Sequence, residues 1–387
     1  MFLTTKDFYT EFTENRHILP YYIKLESNYN TKTFYSLEDD ALPISNLKCV
    51  SIKLFPKYLT PHFYTDAGIG VKKVFQKDVH GCAIHLTEKT TIDLFLRKEY
   101  SKKFRTSINR SVNRFELCFN YSYIMITEGI TAEKYRSLMD ALHTMLVHRF
   151  NQRNEPNDVL ANWDHYYALV FNLVNTKKAS IFVIYSNDEP INICINYHFN
   201  TILFISIASF NPNFSKFSLG NISIYKIIEW SLNNDYELLD MGYGDLEYKR
   251  FWSNYMYAYE NHIVYSKKIN YRFIAAIEVS KIKFKNFLKS YKIAEKRTKL
   301  KALLRENKKK LNNSTKYTTT PLTDYITTNL PTLEYDDTSF SLIAKPVYDY
   351  LFLQATSIDT IAIFEIEKAK EYLIVGPKAM EKITITA

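Results

Sequence analysis

SIFVIYSNDEPINICINYHFNTILFISIASFNPNFSKFSLGNISIYKIIEWSLNNDYELLDMGYG, residues 180–244, decides the fold class. Three apolar runs follow closely: SIFVIYS (180–186), PINICINYHF (190–199) and ILFISIASF (202–210). They are rich in Ile, Val, Phe and Tyr, which suit a pleated, half-buried surface. Asn187-Asp188 and Asn200-Thr201 divide them, and such residues accept the backbone of a tight hairpin turn. The polar stretch NPNFSKFSLGN (211–221) reads as a loop, ISIYKIIEWSLNN (222–234) as a helix and ELLDMG (237–242) as a buried strand.

Working outward, LEYKRFW (246–252) reads as a short helix and YMYAYENHIVYS (255–266) as a closing strand. Upstream, Tyr121 to Thr127 reads as a strand. Thr131 is placed to cap a helix with Tyr135, Leu138, Leu142 and Met145 inward, and Asn162 to cap another with Tyr166, Leu169, Val170 and Leu173 inward. Over 121–265 the order is β-α-α-β-β-β-α-β-α-β. The expectation is an α/β (α+β) domain: one mixed central sheet, helices on both faces, and its third and fourth strands splaying beside Gly220.

The flanks are less patterned. Residues 1–120 are expected as a β-rich N-terminal lobe, with strands at 21–25, 49–55 and 81–86, ending in a basic helix, YSKKFRTSINRSVNRFE. Phe104, Ile108, Val112 and Phe115 share one face of that helix. Residues 266–312 are expected as a second basic helix, with Ile277, Phe284, Leu288 and Tyr291 near one face. Residues 313–387 are expected as a small α+β extension.

Composition narrows the function classes. The 31 Tyr and 26 Phe against 8 Gly favour sheet layers with large side chains. The four cysteines are scattered without a Cys-x-x-Cys, and the nine histidines form no His-x-x-x-His pair, so neither a disulfide framework nor a metal site is expected. No apolar run reaches the length of a membrane span, and MFLTTKDFYTEF lacks the apolar stretch of an export signal. The expected location is therefore cytoplasmic, or peripheral at the inner membrane face. The net charge of +9 is local: 267–310 holds 16 basic and 3 acidic residues, and the rest of the chain 34 and 38. That segment reads either as a solvated face packed on a core or as a contact for an anionic membrane surface. It lacks the stacking aromatics of a single-strand binder on its basic side, so nucleic acid is not the expected partner.

Residues 102–252 resemble the CelD-like acetyltransferases, GNAT-type proteins associated with cellulose and exopolysaccharide biosynthesis and distantly similar to the FemAB peptidyltransferases. The resemblance rests on KFRTSINRSVNRFE, on the strand-strand-loop region ending in Ser218-Leu219-Gly220, on LLDMGYG and on EYKRFW. The ten-element order is also that of the GNAT fold. The loop departs from the usual GNAT pattern, offering only Lys216, Ser218, Leu219 and Gly220. The resemblance implies transfer of an acyl group from acetyl-CoA or another acyl-CoA to an amine or hydroxyl of a sugar or cell-envelope precursor, without a metal. The alternatives are FemAB-like aminoacyl transfer from tRNA and a non-catalytic scaffold in polysaccharide assembly.

Candidate site residues follow from motif and chemistry together. A helix start presents unpaired N–H groups and partial positive charge to a pyrophosphate, so Lys216, Ser218, Leu219, Gly220 and Asn221 are the cofactor-binding candidates. Acyl transfer needs a base, an oxyanion donor and an acid for the thiolate. Asp240, Tyr248 and Lys249 are the catalytic candidates, expected where the buried strand emerges at the sheet edge. Arg105, Arg110 and Trp252 are the candidates for binding substrate. For each, a bland reading stands beside the functional one: Asp240 as a buried cap, Trp252 as core, the arginines as a solvated face, and Lys249 as an ion-pair partner of Asp240 or Asp245.

Overall fold

A computed structural model of the chain describes residues 3–36, 47–64, 68–86, 90–153, 157–244, 246–290, 316–325, 327, 330–335, 337 and 339–386. Its first part contains strands β1 (Thr4–Asp7), β2 (Tyr22–Ser27), β3 (Thr33–Ser36), β4 (Cys49–Pro56), β5 (Leu59–Phe63) and β6 (Ile69–His85), then helices α1 (Ile92–Glu99) and α2 (Lys102–Cys118). The middle runs β7 (Tyr121–Ile126), α3 (Ala132–Arg153), α4 (Asp158–Ala161), α5 (Trp163–Asn175), β8 (Ala179–Ser186), β9 (Glu189–Phe199), β10 (Ile202–Phe210), α6 (Leu219–Asn233), β11 (Leu238–Tyr243), α7 (Glu247–Trp252) and β12 (Tyr255–Ser266). The last part holds α8 (Ile269–Ser290), β13 (Lys316–Leu322), α9 (Phe340–Gln354), β14 (Ala362–Glu367), β15 (Glu371–Val375) and β16 (Met380–Thr386). The ten expected elements are all present, with the four-residue α4 added. The fold is a mixed α/β one built on a large mixed sheet.

The chain forms two compact units, each discontinuous in sequence, that cut across the expected 121–265 span. The first comprises Met1–Lys89, Tyr197–Ser206 and Asp235–Lys310. Its main sheet runs β1-β4-β12-β6-β11-β10. Here β4 is parallel to β1, β6 is antiparallel to both β12 and β11, and β11 is parallel to the start of β10. The 17-residue β6 thus lies between β11 and β12, so the expected span does not complete a sheet by itself. Strands β3, β2 and β5 form a separate small sheet. Helix α8 buries Ala275, Ile282 and Glu278, in place of the expected Ile277 and Phe284, which are exposed; Tyr291 lies outside the described residues.

The second unit comprises Thr90–Asn196, Ile207–Asn234 and Leu311–Ala387. β7 pairs antiparallel with β8, whose eight residues are all buried. The hairpin turns are as expected: Asn187, Asp188 and Asn200 have φ of 49°, 65° and 49°, the left-handed conformation that Asn and Asp tolerate. Thr131 caps α3, its Oγ1 accepting from the Lys134 amide, and Leu138 and Leu142 are buried. Asn162 does not cap α5 through its side chain, which donates back to the Asp158 carbonyl; Asn157 caps α4 instead. β13, β16, β15 and β14 make a four-stranded sheet accompanied by α9.

The splay was expected between the third and fourth strands of 121–265. Those strands, β9 and β10, are hydrogen-bonded neighbours. The pairing that stops short is that of the fourth and fifth: β10 and β11 are in register only from Ile202–Leu238 to Phe204–Asp240.

Candidate active site

Asp240 is 1% exposed and lies within the sheet, opposite Phe204 on one side and Ala83 on the other, not at a sheet edge. Leu238 and Leu239 before it are buried, as their pattern required. After it the pairing with β6 slips, and Gly242 turns with φ 71° so that its amide donates to Asp240 Oδ1 at 2.7 Å. The same oxygen accepts from the Tyr257 hydroxyl at 2.6 Å. Oδ2 accepts from the Tyr58 hydroxyl at 2.8 Å and from Tyr9. The Tyr257 hydroxyl also meets those of Tyr9 at 3.1 Å and Tyr259 at 3.0 Å. Burial pushes the Asp240 carboxyl up, and the three phenols and the Gly242 amide pull it back. Burial and the Asp240 charge together push the Tyr9, Tyr58 and Tyr257 phenols well above their usual range, so all three remain donors.

Glycine makes this cluster possible. Gly81 is the cross-strand partner of Tyr257, and the Tyr257 ring lies over it so closely that a Cβ there would collide with the ring. Motif reading found Asp240 but not Tyr9, Tyr58 or Tyr257. Tyr9 lies 231 residues from Asp240, and no local spacing announces such a contact. The one available signal was the Tyr-x-Tyr-x-Tyr alternation at 255–259, which puts three phenols on one face of a strand.

α7 places its residues differently from one another. Tyr248 is 40% exposed and Trp252 is 0% exposed. Trp252 therefore offers a substrate no surface; its indole is core. Lys249 is buried, and its Nζ donates to the Tyr243 carbonyl at 2.9 Å. Burial lowers the Lys249 pKa, against the raising effect of the Asp240 charge. Asp245, the other partner considered for Lys249, lies outside the described residues.

In the second unit, 211–218 is not an open polar loop. Pro212–Phe217 is a 3-10 turn with Phe214 and Phe217 buried, because α9 covers it: Tyr348 packs on Phe214 and Phe352 on Phe217, at ring-centre distances of 4.3 and 5.2 Å. Lys216 lies 3.6 Å from the Asp349 carboxylate, whose nearer cation is Lys345 at 2.9 Å. Ser218 adopts φ 58° and breaks the turn from α6; its carbonyl accepts from the amides of Asn221 and Ile222. Among the described residues nothing accepts from the amides of Leu219 and Gly220. Leu219 is fully buried, backbone included, whereas Gly220 is partly exposed, so the amide that a ligand can reach is that of Gly220. Gly220 has ordinary helical φ, and a Cβ there would meet the Phe210 ring at 3.6 Å, an ordinary contact. The Arg149 guanidinium sits 5.6 Å from the same ring and donates to the Ala208 carbonyl. That cation beside the α6 start was not singled out in the sequence.

The two arginine candidates are on α2, five positions apart, which sets them about 140° apart around the axis. Arg105 is half-buried and its Nε has no partner among the described residues; Arg110 is exposed. They do not converge on one ligand. Among the described residues no three His, Cys, Asp or Glu side chains gather as a metal site, and all four cysteines are free and buried.

Residues 102–250 match the family model described as an acetyltransferase (GNAT) domain. No curated protein matches the chain. Among solved structures, the chain is similar to a conserved protein of unknown function from Bacteroides thetaiotaomicron, with 10% identity and TM-score 0.39 over 57% of this chain and 70% of that one. It is similar to FemX with 10% identity and TM-score 0.40, over 59% and 74% of the two chains. A probable acetyltransferase from Staphylococcus epidermidis is similar at 14% identity and TM-score 0.24, over 38% of this chain and all of that one.

Proposed function

We propose, from the GNAT-type acetyltransferase domain over residues 102–250, that the chain moves an acyl group from acyl-CoA to an amine or hydroxyl acceptor. That match carries the reading. The partly exposed Gly220 amide at the start of α6, to which no described residue is bonded, supports it. It is a donor of the kind that a pyrophosphate uses at a helix N-terminus. The acceptor we propose is a sugar or cell-envelope precursor, on the resemblance of residues 102–252 to the CelD-like proteins.

The chemistry divides by exposure. The Tyr248 phenol reaches solvent and can protonate a departing thiolate. Asp240 is closed to an acceptor in this conformation, and we assign it a positioning role: it fixes Tyr9, Tyr58 and Tyr257. Lys249 holds the Tyr243 carbonyl and so the turn that follows β11.

The test is thiol release from acetyl-CoA with a panel of aminosugars and sugar alcohols. Wild type should release thiol with at least one acceptor, and Tyr248→Phe should slow it by about 10²–10⁴, the usual cost of a lost general acid. No release with any acceptor, together with transfer from charged tRNA, would replace this reading with aminoacyl transfer. Neither activity would leave a scaffold.

A further inference from the structure

We propose that α8 is a membrane-contact helix whose solvent side lies on an anionic lipid surface. At about 100° per residue, Ala275, Glu278 and Ile282 mark the side of α8 that faces the protein. On the opposite side Ile269, Phe273, Ile277, Phe284 and Phe287 form a row, all between 41% and 80% exposed. Three phenylalanines and two isoleucines in one stripe are not scattered surface apolars but a patch of the kind that marks an interaction site. The expected amphipathic helix would have turned this face inward; here it points to solvent.

The charges select the occupant. Arg272 and Lys283 border the apolar row on one side, and Lys281 and Lys285 on the other, all exposed. Glu278, the one acidic residue within α8, is turned to the core, where Ser51 donates to it. A stripe of Phe and Ile between two lines of cations matches a bilayer of anionic lipid: rings enter the acyl boundary and cations meet headgroup phosphates. A second copy of this chain would set the same cations against themselves. Beside the first turns, a hollow lined by Lys72, Tyr265, Ile269, Asn270, Arg272 and Phe273 adds Lys72 to Arg272 next to apolar side chains, a combination that suits a headgroup above its chains. No helix among the described residues is long and apolar enough to cross a membrane, so the contact proposed is peripheral.

The experiment is co-sedimentation of the full chain with vesicles of phosphatidylglycerol and phosphatidylcholine, and with vesicles of phosphatidylcholine alone. Wild type should be retained by the anionic vesicles and lose retention as salt rises from about 50 mM to about 500 mM, as exposed charges are screened. The triple variant Ile269→Gln, Phe273→Gln, Phe284→Gln should weaken retention about tenfold or more, and so should Arg272→Glu with Lys283→Glu, both keeping the wild-type melting temperature because the side chains are exposed. Equal retention by both vesicle types, no retention of wild type, or unchanged retention of the triple variant would overturn the proposal. So would a wild-type dimer on gel filtration that the triple variant converts to monomer, which would assign the face to a second copy.

Discussion

Asp240 is held by four donors, and its behaviour under substitution separates a positioning carboxylate from an inert one. Asp240→Asn turns an acceptor-only group into one that presents N–H to at least one phenol, leaving a buried donor facing a donor. The unfolding free energy should fall by about 2–3 kcal/mol, against about 1 kcal/mol for Tyr257→Phe. Urea denaturation of both variants checks this, and a smaller loss for Asp240→Asn than for Tyr257→Phe would contradict the geometry. Gly81→Ala should cost at least as much as Tyr257→Phe, because the ring must leave its place over Gly81.

His198 supplies a pH signature in the same unit. Its Nδ1 meets the Tyr236 hydroxyl at 2.5 Å, and burial, then the nearby Arg16 cation, lowers its pKa to about 4. The folded state therefore favours the neutral ring. Its contribution is complete above the ordinary histidine value near 6.5 and is lost as pH falls from there toward about 4, on the order of 3 kcal/mol at most. Urea midpoints at about pH 7.5 and about pH 4.5 should differ less in His198→Gln than in wild type. An unchanged difference would show that this histidine does not control acid stability.

At the scale of elements, strand and helix order was legible, and partners were not. Three tight runs and two Asn-led turns gave β8, β9 and β10 because hairpin chemistry is local. β6 was legible only at its end, GCAIHL. Upstream, IGVKKVFQKDVH carries Lys72, Lys73 and Lys77 and a left-handed Asp78, and its register with β12 shifts near Tyr259. A long bulged strand loses the clean alternation that a sequence reading needs. The C-terminal extension, legible only as a small α+β unit, reaches the candidate cofactor loop: α9 covers the turn before α6. Phe217→Ala should therefore cost about 3–5 kcal/mol by opening a cavity under that turn. Lys216→Met should cost under about 1 kcal/mol, since its ion pair is partly exposed and Asp349 keeps Lys345. Thermal melts of the two variants test that order; equal losses would mean that the ion pair, not the ring packing, holds the turn.

At the scale of the molecule, the chain is two discontinuous units, and its chemistry was legible in proportion to how local it is. Asp240, Tyr248 and Lys249 sit within nine residues of one another, and a motif could mark them. The phenols that bind Asp240 come from β12, from Tyr58 and from the chain's ninth residue, so only the fold assembles them. Motif also assigned Trp252 to the substrate, whereas packing assigns it to the core. The central claim, that this chain uses acyl-CoA through the start of α6, is tested most directly by calorimetric titration of wild type and Gly220→Asp with acetyl-CoA. Gly220 has room for a side chain, and a carboxylate at a helix start is favourable to the helix itself, so the variant should be at least as stable as wild type. The account predicts saturable binding in wild type and a loss of affinity of about tenfold or more in the variant, from charge repulsion with phosphate alone. Equal affinity in the two proteins, or no binding in wild type, would contradict it.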